Sequence, residues 1–160
     1  MTQKFSRPQN SQNILSDVTM KRECPFIFEI SDRILSDPNN FILRIPQGIQ
    51  TVDELFNYYI KEAKFPQYYG GNWDAFKDCL CDFSWIEQHK IIILHEDLPL
   101  MRKVKDAQTY VDILITAVNV WKLDPEAENY EYILDFDYKL IVFFPKKIEP
   151  IIDAILGDIE

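Results

Sequence analysis

The chain has 160 residues, 47% of them apolar, and 26 acidic against 17 basic side chains give it a net charge of −9 at pH 7. That length and apolar content suit one domain with its own core and exclude an intrinsically disordered chain. The acidic balance argues against nucleic-acid binding, which needs a basic patch, and fits a protein that meets a basic partner.

Residues 1–22 are polar, carry no periodic apolar pattern and read as a loose leader; residues 23–160 read as a single domain. The opening MTQKFSRPQNSQN lacks the apolar stretch of a signal peptide, and no run approaches the ~18 apolar residues of a membrane span. The cysteines, Cys24, Cys79 and Cys81, are odd in number, and the last two point to different faces of a helix. Reduced thiols and a cytoplasmic location are expected.

Pro25–Ile30, PFIFEI, alternates apolar and aromatic residues and predicts an N-terminal edge strand. SDPNN at 36–40 is turn chemistry. Phe41–Ile45 predicts a strand that stops at Pro46, with Arg44 its only charge. Thr51 and Glu54 form a capping-box pair, and Leu55, Tyr58, Tyr59 and Glu62 follow at helical spacing until Pro66 forbids continuation.

A second helix is predicted from Asn72 to Phe83. Lys90–Leu94, KIIIL, is a continuous aliphatic run of the kind buried on both faces of a parallel sheet. Tyr110, Ile113, Leu114, Ala117, Val118 and Trp121 mark an amphipathic helix over residues 106–122, followed by an acidic loop at 123–129. The stretch YEYILDF from Tyr130 reads as either a partner strand or a loop lying on the core. Lys139–Phe144 predicts a strand ended by Pro145, and residues 148–159 have the period of a closing helix. Alternating strands and helices imply an α/β fold in which three short parallel strands are covered by helices.

FPQYYGGNWDAFKDCLCDF, residues 65–83, holds the main functional signal. Asn72 suits the N-cap of the helix that follows. At about 100° per residue, Trp73, Phe76, Cys79, Leu80 and Phe83 share one half of it, and Asp74, Asp78 and Asp82 share the other. Asp74 lies in the first turn, where the helix dipole favours a negative charge. Asp78 and Asp82 have no such role, and carboxylates four residues apart repel by roughly 0.2–0.5 kcal/mol per pair. A solvated helix face is the plain explanation. Tyr68, Tyr69, Gly70 and Gly71 beside it favour an interface instead, because loop aromatics next to concentrated charge are enriched there.

Chemistry of other kinds finds little support. His89 and His95 flank the aliphatic strand without a metal-ligand spacing, and His95-Glu96-Asp97 reads most simply as a polar loop. No phosphate-binding glycine motif or nucleophile elbow is present. Exposed Asp74 and Asp78 would both stay ionised, whereas a general acid needs a carboxyl kept protonated by burial. Neither an enzyme nor a cofactor or metal is expected.

The ordered pattern Pro66, Tyr68, Tyr69, Gly70, Asn72, Trp73, Asp74, Ala75, Asp78, Leu80 resembles the central segment of the barstar-like family, intracellular inhibitors of ribonucleases. A looser likeness in element order runs over about residues 40–145. The resemblance implies a barstar-like fold, with an extra N-terminal strand and C-terminal helix in this chain. It also implies that Tyr68, Tyr69, Gly70, Gly71, Asn72, Asp74, Asp78 and Asp82 contact a cognate ribonuclease, a basic enzyme of secreted or toxin type. In that scheme Asp78 mimics an RNA phosphate and Asp74 supports it. Lys77 stands between the two acids where the founding member has tryptophan, and Asp82-Phe83 replace glycine-tryptophan. These departures predict a partner other than barnase. A non-inhibitory binding module using the same helix, and more remotely a small hydrolase, are the competing functions.

Overall fold

The computed structural model of the chain describes residues 23–66, 71–122 and 139–158. Three aliphatic runs make its centre. β1 (Asn40–Ile45), β2 (Lys90–His95) and β3 (Lys139–Phe143) form a parallel sheet in that order. Phe41 pairs with Ile91 and Leu43 with Ile93 on one side of the central strand; Ile91 pairs with Leu140 and Ile93 with Val142 on the other. Every residue of β2 after Lys90 is buried, the expected state of a strand covered on both faces.

Helices supply the cover. α1 (Asp32–Ser36) is a single short turn before β1, and α2 (Val52–Glu62) follows it. The predicted capping box at Thr51 is present, with Glu54 N–H donating to Thr51 Oγ1 at 3.1 Å and Glu54 Oε1 accepting from Thr51 N–H at 3.2 Å. α3 (Trp73–Asp82) and α4 (Val104–Lys122) pack on each other, and a 3-10 turn at Lys146–Ile148 leads into α5 (Glu149–Asp158). One hydrophobic cluster joins the sheet to α2, α3, α4 and α5 through Leu55, Phe76, Leu114 and Ile152.

The N-terminal strand shrinks to one bridge. Ile27 pairs with Phe143, its N–H donating to the Val142 carbonyl at 2.9 Å while Phe144 N–H donates to the Ile27 carbonyl at 3.1 Å. Pro25 has no N–H to extend that ladder, and Phe26 instead buries its ring against Phe144 at 5.3 Å between centroids. α1 is absent from the sequence reading, which assigns only the turn after it. The leader, the 123–129 loop and the YEYILDF stretch lie outside the described residues. Among the described residues no helix is long and apolar enough to cross a membrane.

His95 is not loop. It is the last residue of β2 and is 1% exposed. Its Nδ1 lies 2.9 Å from the Phe143 carbonyl, its Nε2 lies 2.8 Å from the Tyr110 hydroxyl, and its ring stacks on Phe144 at 3.9 Å. These contacts satisfy a buried polar group that the sequence places beside two carboxylates.

Candidate protein-binding site

The helix that carries the acids is fixed at both ends by local chemistry. Asn72 is extended (φ −130°, ψ 172°), and its side-chain oxygen accepts from Ala75 N–H at 2.8 Å, satisfying one orphan donor of the first turn. Gly71 ahead of it has φ +77°, a conformation that penalises any side chain. Among the described residues no atom beyond its chain neighbours lies within 4 Å of where a Cβ would sit there, so the requirement comes from backbone conformation and not from space. At the other end Phe83 takes the left-handed conformation and its N–H closes onto the Cys79 carbonyl at 3.1 Å. α3 therefore stops one residue short of the predicted Phe83.

The inward face of α3 lies on a bed of rings. Phe76 is fully buried, stacked on Phe56 at 5.1 Å and edge-on to Tyr59 at 4.8 Å, with Phe65 and Tyr110 at 5.7 and 6.0 Å. Cys79, Leu80 and Phe83 are buried beside it. Trp73 shares that half of the helix, a position that predicts burial, but it is only half-buried. It closes the edge of the bed, T-shaped to both Phe56 and Phe76. Two indole N–H groups pin the surroundings: Trp121 donates to the Leu80 carbonyl at 3.0 Å and Trp85 to the Ala63 carbonyl at 2.9 Å.

The outward face carries Asp74, Asp78 and Asp82, all exposed. Asp82 Oδ2 accepts from the Ser84 hydroxyl at 3.2 Å. Among the described residues neither Asp74 nor Asp78 has a side-chain hydrogen bond or ion pair, so both are open to a partner. Lys77 flanks them, half-buried. The thiols of this helix are held protonated. Burial first, then Asp82 and Asp78, push Cys79 up to about 11. Cys81 is also raised by burial, with Lys77 opposing the shift and the same two acids adding to it. Neither is poised as a nucleophile, and the described residues hold no His/Cys/Asp/Glu group that could bind a metal.

Asn72, Gly71 and the three carboxylates are thus brought to one end and one face of a single capped helix. Tyr68, Tyr69 and Gly70 lie outside the described residues. The sequence reading missed the role of Trp85 and Trp121 as anchors of this region. Only their non-local hydrogen bonds reveal it.

The family model described as Barstar (barnase inhibitor) matches residues 41–135. That span starts in β1 and includes all of α2, α3, β2 and α4. No curated protein matches the chain.

Proposed function

The chain belongs to the Barstar (barnase inhibitor) family, a family of inhibitors and not of enzymes, and from that premise we propose that it binds and blocks a cognate ribonuclease with the acidic face of α3. A ribonuclease site that holds phosphates is lined with cations. A helix that presents carboxylates at fixed spacing can occupy it as an RNA backbone would, without a bond to cleave.

The observation that carries this reading is the division of α3. Phe76, Cys79 and Leu80 are buried, while Asp74 and Asp78 face outward without a partner among the described residues. Burial on one side removes the freedom that would otherwise be lost on binding. In this scheme Asp78 mimics the phosphate, Asp74 supports it, and Asp82, tethered to Ser84, lies at the rim. Asn72 and Gly71 set the entry to the helix, and Tyr68, Tyr69 and Gly70 pack against the enzyme. The protein acts in the cytoplasm on a basic enzyme of secreted or toxin type. Lys77 points to a ribonuclease other than barnase, because a cation among the acids opposes a strongly cationic site.

Titrating the chain into RNA cleavage by barnase and by a panel of basic secreted ribonucleases tests the reading. Stoichiometric loss of cleavage for one enzyme supports it. Undiminished cleavage by all of them, with none retained on the immobilised chain, refutes it.

A further inference from the structure

The acid row of α3 is bordered along its length by a second row. Trp73, Lys77 and Cys81 succeed one another about one turn apart, each roughly 100° around the helix from the carboxylate that follows it in sequence, Asp74, Asp78 or Asp82. The three carboxylates are exposed, and Trp73, Lys77 and Cys81 are all half-buried. The second row is therefore the margin between core and solvent. Trp73 and Cys81 pack on the hydrophobic core at its two ends, with Trp73 wedged against Phe56 at 5.1 Å and Phe76 at 5.7 Å.

Lys77 lies between them. Its half-burial sets part of the four-carbon stem against the helix flank and leaves the ammonium at the surface. Asp74, three residues before it, is within reach for an ion pair on a helix, yet Lys77 pairs with neither Asp74 nor Asp78. Its charge reaches the Cys81 thiol one turn on, where it opposes the rise that burial causes. The ammonium thus stands beside the acid row as a separate cation.

We infer that Lys77 sets which ribonuclease this face accepts: the cognate enzyme carries a carboxylate beside the cations that meet Asp74 and Asp78. The inference rests on the proposed function and adds to it what the partner must present. Residues three apart on a helix have Cβ atoms about 5–6 Å from each other, so a surface that covers Asp74 and Asp78 also meets Lys77. An ammonium taken out of water needs an acceptor in exchange. A site lined only with Arg, Lys and His offers none and repels it, whereas a carboxylate at that margin supplies a pair. One side chain therefore rejects an all-cationic site and favours a mixed one, and such charge matching governs specificity more than raw affinity.

The test titrates wild type, Lys77→Gln and Lys77→Glu into RNA cleavage by barnase and by a panel of basic secreted ribonucleases. Lys and Gln have similar helix propensities, so thermal unfolding of the glutamine variant should match wild type. For the enzyme that wild type blocks, Lys77→Gln should weaken inhibition by roughly tenfold and Lys77→Glu by more. For enzymes that wild type spares, Lys77→Gln should tighten inhibition by a similar factor. Opposite shifts on two enzymes cannot come from a general change in stability or net charge. Replacing one rim carboxylate of the blocked enzyme by Lys should in turn restore its inhibition by Lys77→Glu. Equal or tighter inhibition of that enzyme by Lys77→Gln, or the lack of any carboxylate whose reversal restores inhibition by Lys77→Glu, overturns the inference and leaves the proposed function standing. Undiminished cleavage by every enzyme with wild type and both variants refutes the proposed function, and the inference falls with it.

Discussion

Tyr110 donates its hydroxyl proton to Nε2 of His95 across 2.8 Å, because the neutral ring's one N–H is held at Nδ1 by the Phe143 carbonyl, and the Tyr59 hydroxyl in turn donates to the Tyr110 oxygen at 2.7 Å. The two tyrosines are equally buried, yet their hydroxyls are unequal in consequence. Tyr110→Phe leaves both the His95 nitrogen and the Tyr59 hydroxyl without a partner, whereas Tyr59→Phe removes only the terminal donor. Tyr110→Phe should cost about 1–3 kcal/mol for the stranded groups, and Tyr59→Phe clearly less. Denaturant unfolding of the two variants at pH 7.5 checks the order, and equal losses would contradict the assigned direction.

The bed beneath α3 should also be unequal along its length. Phe76 is fully buried between Phe56 and Tyr59, and Trp73 is half-buried at the edge. Phe76→Ala should lower stability by about 3–5 kcal/mol. Trp73→Ala, which leaves a site that solvent can fill, should cost less. Unfolding midpoints of the pair measure the difference.

The N-cap gives a third expectation. Asn72→Ala removes the acceptor for Ala75 N–H and should cost ~1 kcal/mol. Asn72→Asp keeps the acceptor and adds a charge favoured by the helix dipole. It should therefore restore the loss, as thermal unfolding of both variants would show.

Salt gives a fourth. If the three exposed carboxylates steer a basic enzyme, raised ionic strength should slow association more than it speeds dissociation. Surface-binding kinetics at two salt concentrations with an inhibited ribonuclease separate the two rates.

The sequence revealed those parts of the molecule whose cause is local. KIIIL announces a strand covered on both faces because the four aliphatic residues after Lys90 leave neither face for water, and Asn72 and Thr51 announce helix starts because their side chains have one obvious use. α1 was invisible: five residues are too few to show a period, and the Ser31 cap was its sole signal. Pro25–Ile30 alternated like a strand, but alternation records only that two sides differ. One bridge and the burial of Phe26 satisfy the same pattern. His95 read as loop because Glu96 and Asp97 follow it. Its burial depends on a hydroxyl 15 residues away and a carbonyl 48 residues away, which no local window contains. The acidic face was legible from helical spacing, since spacing alone sorts Asp74, Asp78 and Asp82 from Phe76 and Leu80.

The central claim is that Asp78 serves binding and not folding, and one variant tests it. Asp78 is exposed, lies outside the first turn and has like charges four residues to either side. Asp78→Ala should leave stability unchanged or raise it by up to about 1 kcal/mol, through relief of repulsion and better helix propensity. Its affinity for the inhibited ribonuclease should fall by about 2 kcal/mol or more, the threshold of an interface hot spot. The decisive measurement is a titration of that enzyme's RNA cleavage with wild type and Asp78→Ala, paired with thermal unfolding of both. Weakened protection of the enzyme's site by a variant as stable as wild type is the predicted result. Equal inhibition at equal concentration would show Asp78 to be part of a solvated helix face and would contradict the account.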